Sequence, residues 1–84
     1  MAKENSQKWY RMSLSLNVAA HAFSLFMKPE FRGPKFKLDT VEDIIVSQIE
    51  TQMFMHAINK KHTAEMTEWA LEFYRRHLKE FIVV

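Results

Sequence analysis

Histidines are the residues of this sequence most able to do chemistry. His62 and Glu65 are three residues apart, and so are His77 and Glu80, so each pair can share one face of a helix. Helical metal sites use glutamate and histidine at this separation, but in the order Glu-x-x-His, and here the order is reversed. The sequence has no cysteine, so it offers no thiolate ligand and no disulfide. We predict no metal site and no cofactor.

Motifs for catalysis are also missing from the sequence. A single glycine, Gly33, cannot make a glycine-rich phosphate loop, and there is no Gly-x-Ser-x-Gly motif. Glu65, Glu68 and Glu72 are spaced like an ordinary solvated helix face, with no apolar pocket to shift a pKa. We therefore expect no catalytic residue and a protein that is not an enzyme.

Positive charge and aromatic side chains alternate in the segment 28–38, which is long for a loop between helices. Aromatic anchors surrounded by cationic groups are typical of the centre of a protein interface, where the charges steer an acidic partner. We predict that another protein is bound here, by Phe31, Arg32, Lys35, Phe36 and Lys37.

Two other interpretations fit the same segment. Cationic groups with interleaved aromatics also hold phosphates and stack on bases, which would use Lys28 together with Arg75, Arg76 and Lys79. The alternative function is thus nucleic-acid binding, although the glutamates at the start of the last helix argue against reading a major groove. In the third interpretation the segment binds nothing, and the side chains of Phe31 and Phe36 pack against the helices as part of the core.

The helix-breaking residues are confined to one stretch, which contains Pro29, Gly33 and Pro34. The first helix is predicted over residues 6–28, with Ser6 as its N-cap. Apolar and polar residues alternate over 12–18, as in a strand, but three alanines between 19 and 22 favour a helix.

Two further helices are predicted, over 40–59 and 63–82, and helical spacing places His77 and Phe81 on the core face of the second. Asp39 and Glu42 form a start like a capping box for the first of these, and Thr63 is a suitable N-cap for the second. We predict a turn at 59–63, because Asn-Lys-Lys-His-Thr is polar on every face; the alternative is one helix of more than 40 residues.

The expected fold is a single all-α domain over residues 1–84, a small three-helix bundle completed by self-association. Met53, Phe54 and Met55 are consecutive, so they cannot all face one core, and the first helix is apolar on most of its circumference. Such surplus apolar surface is usually buried in oligomers and complexes, so we expect a homo-oligomer.

Residues 1–38 carry seven basic and two acidic groups, against five basic and eight acidic groups in residues 39–84. This split can draw two copies together head to tail.

Location and function follow as expectations. No window of 18 uninterrupted apolar residues predicts a membrane span. The stretch 12–23 is broken by polar residues, unlike a signal peptide, so we expect a cytoplasmic protein. The sequence predicts a non-enzymatic protein-binding module, a small regulator, inhibitor or adaptor, of a size that fits a phage or mobile-element accessory factor.

Overall fold

Residues 7–27 and 39–81 are described by the computed structural model, and they form three helices. Helix α1 is Lys8–Phe26, α2 is Asp39–Met55 and α3 is Thr63–Phe73. A short 3₁₀ turn, Lys60–His62, precedes α3, which continues into a π turn, Tyr74–Leu78, and a last 3₁₀ turn, Lys79–Phe81. About 90% of the residues in these two ranges are helical and none is in a strand, which confirms the all-α three-helix prediction.

The core is built from one row of side chains on each helix. In α2 and α3 the rows repeat every four residues, which keeps each row on one flank of its helix. Every pair of the three helices is in contact, so the rows meet in one cluster. The buried apolar residues are Val18, Ala19, Ala22 and Phe26 of α1, Val41, Ile45, Ile49 and Met53 of α2, Ile58 of the turn, and Met66, Ala70 and Tyr74 of the last segment.

Helix α1 is slightly shorter than predicted at both ends. Its N-cap is Gln7, which makes no side-chain capping bond, so the prediction of Ser6 as N-cap is wrong. The helix ends at Phe26 with Met27 as its C-cap, and the amide of Met27 still donates to the carbonyl of Phe23 at 3.1 Å.

Helix α2 ends four residues earlier than predicted, at Met55, through a left-handed residue. Ala57 has a φ of 56°, the conformation that usually selects glycine at this position. The amide of Ile58 donates to the carbonyl of Met53 (2.9 Å) and the amide of Ala57 donates to that of Phe54 (3.3 Å). These two bonds form a Schellman motif, closed by the apolar pair Met53 and Ile58, which are both buried.

Replacing Ala57 with glycine should stabilise the protein. An L-residue with a Cβ is strained in the left-handed region by roughly 1–2 kcal/mol, and glycine removes that strain at the cost of a more flexible unfolded chain. We expect Ala57→Gly to raise the free energy of unfolding by about 1 kcal/mol, measured by urea denaturation. The matched control is Ala64→Gly in the exposed first turn of α3, which should lower it; a destabilised Ala57→Gly variant would contradict the assignment.

The predicted turn between the second and third helices is confirmed, but its capping differs from the prediction. Asn59 is the cap, since its side-chain oxygen accepts from the amide of Lys61 at 2.9 Å. Thr63 was expected to be the N-cap and is instead the first residue of α3; its hydroxyl donates to the carbonyl of Lys60 at 2.7 Å. Because the 3₁₀ turn begins at Lys60, helical geometry starts before Thr63. The amide that needs a cap is therefore that of Lys61, and Asn59 provides that cap.

The π turn changes which residues face the core after Tyr74. Its i→i+5 bonds place more residues in one turn than an α-helix does, so later side chains are rotated out of the expected row. The periodicity predicts His77 and Phe81 on the core face, yet both are exposed, while Leu78 is packed against the core. That part of the sequence prediction is wrong, because a uniform helix was assumed.

Candidate functional site

The helices bring the candidate residues to two opposite ends of the bundle. Helices α1 and α2 are antiparallel, since Tyr10 near the start of α1 contacts His56 just after the end of α2. One end therefore holds the start of α1, the end of α2 and the start of α3. The other end holds the end of α1, the start of α2 and the end of the last segment.

A hydrogen bond between Tyr10 and His56 ties α1 to the end of α2. The Tyr10 hydroxyl lies 2.7 Å from Nδ1 of His56, and the two ring centroids are 5.9 Å apart. Trp9 packs edge-on against Tyr10, with centroids 5.8 Å apart, and its indole N–H donates to the side chain of Gln7. This contact places Trp9 and the residues around His56 at the same end.

A buried arginine links α1 to α3 at this end. Arg11 is only 8% exposed, and its Nε and Nη2 donate to Oε1 of Glu65 at 3.2 and 3.1 Å. The hydroxyl of Ser15, also buried, donates to the Arg11 carbonyl at 2.7 Å. Among the residues that the structure describes, no buried side-chain nitrogen or oxygen lacks a hydrogen-bond partner.

Breaking this ion pair from one side should be costly. Glu65→Gln removes the carboxylate that accepts two hydrogen bonds from the buried guanidinium of Arg11, which destabilises by about 1–3 kcal/mol. Arg11→Met in the same chain removes the guanidinium itself, so the double variant should recover part of that loss. Urea denaturation of the two single variants and the double variant gives the coupling energy; additive effects would show that the pair contributes nothing.

His62 stands beside the same carboxylate. Its Nδ1 is 3.8 Å from Oε1 of Glu65. Desolvation lowers the pKa of His62 below its ordinary value, the positive charges of Arg11 and Lys61 lower it further, and Glu65 opposes them. The folded protein therefore favours neutral His62.

Mild acid should weaken the fold through His62. A histidine whose pKa is lower in the folded state binds its proton more readily in the unfolded state, so stability is lost as the pH falls from about 6.5. The free energy of unfolding should decline between pH 7 and pH 5, and less steeply in His62→Gln. The control is His21→Gln, because His21 is exposed on α1; equal slopes in wild type and His62→Gln would contradict this assignment.

Large apolar side chains are exposed at the end where α1 begins and α2 ends. Phe54 is 87% exposed, Met55 68%, Trp9 65% and Met12 36%. We call these four residues the apolar end. Only two other large apolar residues in the described ranges are as exposed, Val46 in the middle of α2 and Phe81 at the opposite end of the bundle.

A cleft of about 500 Å³ opens beside Phe54, between the end of α2 and the start of α3. Its walls are largely apolar, and the charged groups at its edge are those of Glu50 and Lys60. The lining residues are Glu50, Met53, Phe54, Ala57, Ile58, Lys60 and Thr63, and none of them belongs to α1.

The opposite end carries the basic residues proposed for phosphate contacts. Arg75 binds Glu42 of α2 with two hydrogen bonds, Nη2 to Oε1 at 2.6 Å and Nε to Oε2 at 3.1 Å. These bonds lower the pKa of Glu42 and raise that of Arg75. Arg76 pairs with Glu72 one turn back at 3.0 Å, and Lys79 is exposed. Both guanidinium groups thus already hold a carboxylate.

The predicted partner-binding loop lies outside the described residues. This applies to Phe31, Arg32, Lys35, Phe36 and Lys37, and to Lys28 as a phosphate contact. The helices on either side of the loop end at Phe26 and begin at Asp39, at the same end of the bundle as Arg75.

The histidine–glutamate pairs do not gather into a metal site in the described part of the chain. Within residues 7–27 and 39–81, no group of three His, Asp or Glu side chains could hold a metal ion. His62 and Glu65 come together, but the carboxylate is held by Arg11. His77 instead lies against the ring of Phe73, with centroids 5.2 Å apart.

Two contacts at the apolar end were not foreseen from the sequence, Arg11–Glu65 and Tyr10–His56. Each joins residues about 50 positions apart, and only the register of packed helices decides such pairings. Arg11 gave one weak signal, since it precedes Ser15, Ala19 and Ala22 on what becomes the buried face of α1.

Comparisons of this chain with protein-family models, with curated proteins and with solved structures find no match. A search of the helices in the two described ranges finds none that is both long enough and apolar enough to cross a bilayer.

Proposed function

We propose that the protein is a non-enzymatic protein-binding module that acts as a small regulator, inhibitor or adaptor. The observation that carries the proposal is the apolar end, where Trp9, Phe54 and Met55 are each more than 60% exposed. Tryptophan, phenylalanine and methionine are enriched in protein interfaces, where truncating a large aromatic often causes the greatest loss of binding.

The geometry of α1 supports a binding surface rather than scattered apolar residues. Trp9, Met12, Leu16 and Ala20 recur at spacings of three, four and four, which places them along one stripe of the helix. Trp9, Met12 and Ala20 are exposed and Leu16 is half-buried, so the stripe is open along most of its length. A helix that fits an apolar stripe of this kind would dock beside α1.

The basic segment 28–38 adds a second contact to the proposal, on the strength of its sequence. Phe31 and Phe36 serve as anchors, and Arg32, Lys35 and Lys37 steer the loop toward an acidic surface on the partner. The proposal includes a cytoplasmic location and self-association of the chain.

The pairing of the arginines favours a protein partner over a nucleic acid. A phosphate bound by Arg75 would compete with Glu42, which accepts two of its hydrogen bonds, and one bound by Arg76 would compete with Glu72. A basic side chain contributes most to the free energy of phosphate binding when it is not already paired with a carboxylate.

The test is capture of partners from source-cell lysate with the tagged protein, analysed by mass spectrometry with and without nuclease. We expect a dominant protein that survives nuclease and moderate salt. Its recovery should fall with Phe31→Ala/Phe36→Ala or with Trp9→Ser/Met55→Ser, and whichever pair reduces recovery locates the contact. Val46→Ser, a change of similar polarity in the middle of α2, is the matched control.

Two outcomes would contradict the proposal. Captured material that disappears with nuclease and weakens steeply with salt would establish the nucleic-acid alternative. A partner recovered equally by all variants, Val46→Ser included, would show that neither the loop nor the apolar end makes the contact.

A further inference from the structure

We propose that copies of this chain assemble head to tail, with Phe81 of one copy inserted into the cleft beside Phe54 of the next. The inference rests on the self-association that the proposed function includes, and because the contact joins identical chains it is tested without any external partner.

The cleft suits an apolar insert. Met53 and Ile58 are buried core residues that line it, while Phe54 stands almost fully exposed at its edge. Inserting an aromatic ring would therefore cover apolar atoms of the cleft and most of Phe54, which is the main source of association free energy.

The cleft is formed by one side of the described bundle. Its lining comes from the end of α2, the turn that follows and Thr63, and α1 contributes no residue to it.

A second copy offers an insert of matching chemistry. Phe81 is 60% exposed at the opposite end of the bundle, and the sequence continues with Ile82-Val83-Val84. Lys79 and Glu80, both exposed, come directly before it. The edge of the cleft presents Glu50 and Lys60, so each charge of the insert has an opposite charge available on the neighbouring copy.

The positions of cleft and insert determine the symmetry of the assembly. Because they lie at opposite ends of one molecule, each chain uses a different surface toward each of its two neighbours. Such a heterologous contact builds open chains, or rings where the rotation between copies closes, unlike a two-fold dimer, which stops at two.

The test is sedimentation velocity of the purified chain over a range of concentrations. Wild type should grow beyond a dimer as concentration rises. Phe54→Asp removes the cleft edge and Phe81→Asp removes the insert, so each should weaken association roughly tenfold or more. Both positions are exposed, and circular dichroism checks that each variant folds. Val46→Asp is the matched control and should assemble like wild type.

Mixing the two defective variants gives the decisive result. Phe54→Asp still carries an intact Phe81, and Phe81→Asp still carries an intact cleft, so an equimolar mixture should form heterodimers and nothing larger. A wild type that stays monomeric or stops at a dimer, or a mixture that remains monomeric, would overturn the proposal.

A charge exchange tests the orientation of the insert. Lys60→Glu should weaken assembly about two- to fivefold, the usual range for an exposed ion pair. Adding Glu80→Lys to the same chain should restore it. If the second change weakens assembly further, Lys60 and Glu80 do not face each other and the proposed orientation is wrong.

Discussion

The arrangement of the bundle depends on the buried guanidinium of Arg11. A charge in the core of so small a domain is tolerated only beside an opposite charge, and Glu65 at the start of α3 supplies it. This requirement fixes how α1 and α3 meet, because sliding either helix by one turn would separate the two groups. The buried alanines Ala19, Ala22 and Ala70 then allow the helices to approach closely along the rest of their length.

Most of the fold could be predicted from local patterns, and the exceptions have identifiable causes. The breakers after α1 and the apolar rows of α2 and α3 predict three helices, and all three are present. The end of α2 was predicted too late because the left-handed residue is Ala57 and not a glycine. His77 and Phe81 were misassigned because no residue type announces a π turn.

The candidate site could be predicted less well, because its decisive contacts are long-range. Consecutive Met53, Phe54 and Met55 indicated surplus apolar surface, and the structure divides them into one buried and two exposed side chains. The pair Glu72–Arg76 follows from helical spacing alone. The pair Glu42–Arg75 joins different helices 33 residues apart, so only the folded bundle reveals that both arginines are engaged.

Trp9 and Trp69 lie in different environments, so their intrinsic fluorescence reports on two different parts of the molecule. Trp69 is partly buried against the core, so its emission follows the packing of α3 and shifts when the bundle opens. Trp9 is largely exposed at the apolar end, beside Tyr10 and its bond to His56. The emission of Trp69 therefore reports the loss of core packing. The emission of Trp9 reports the binding of another molecule to the apolar end, so the two events can be measured separately.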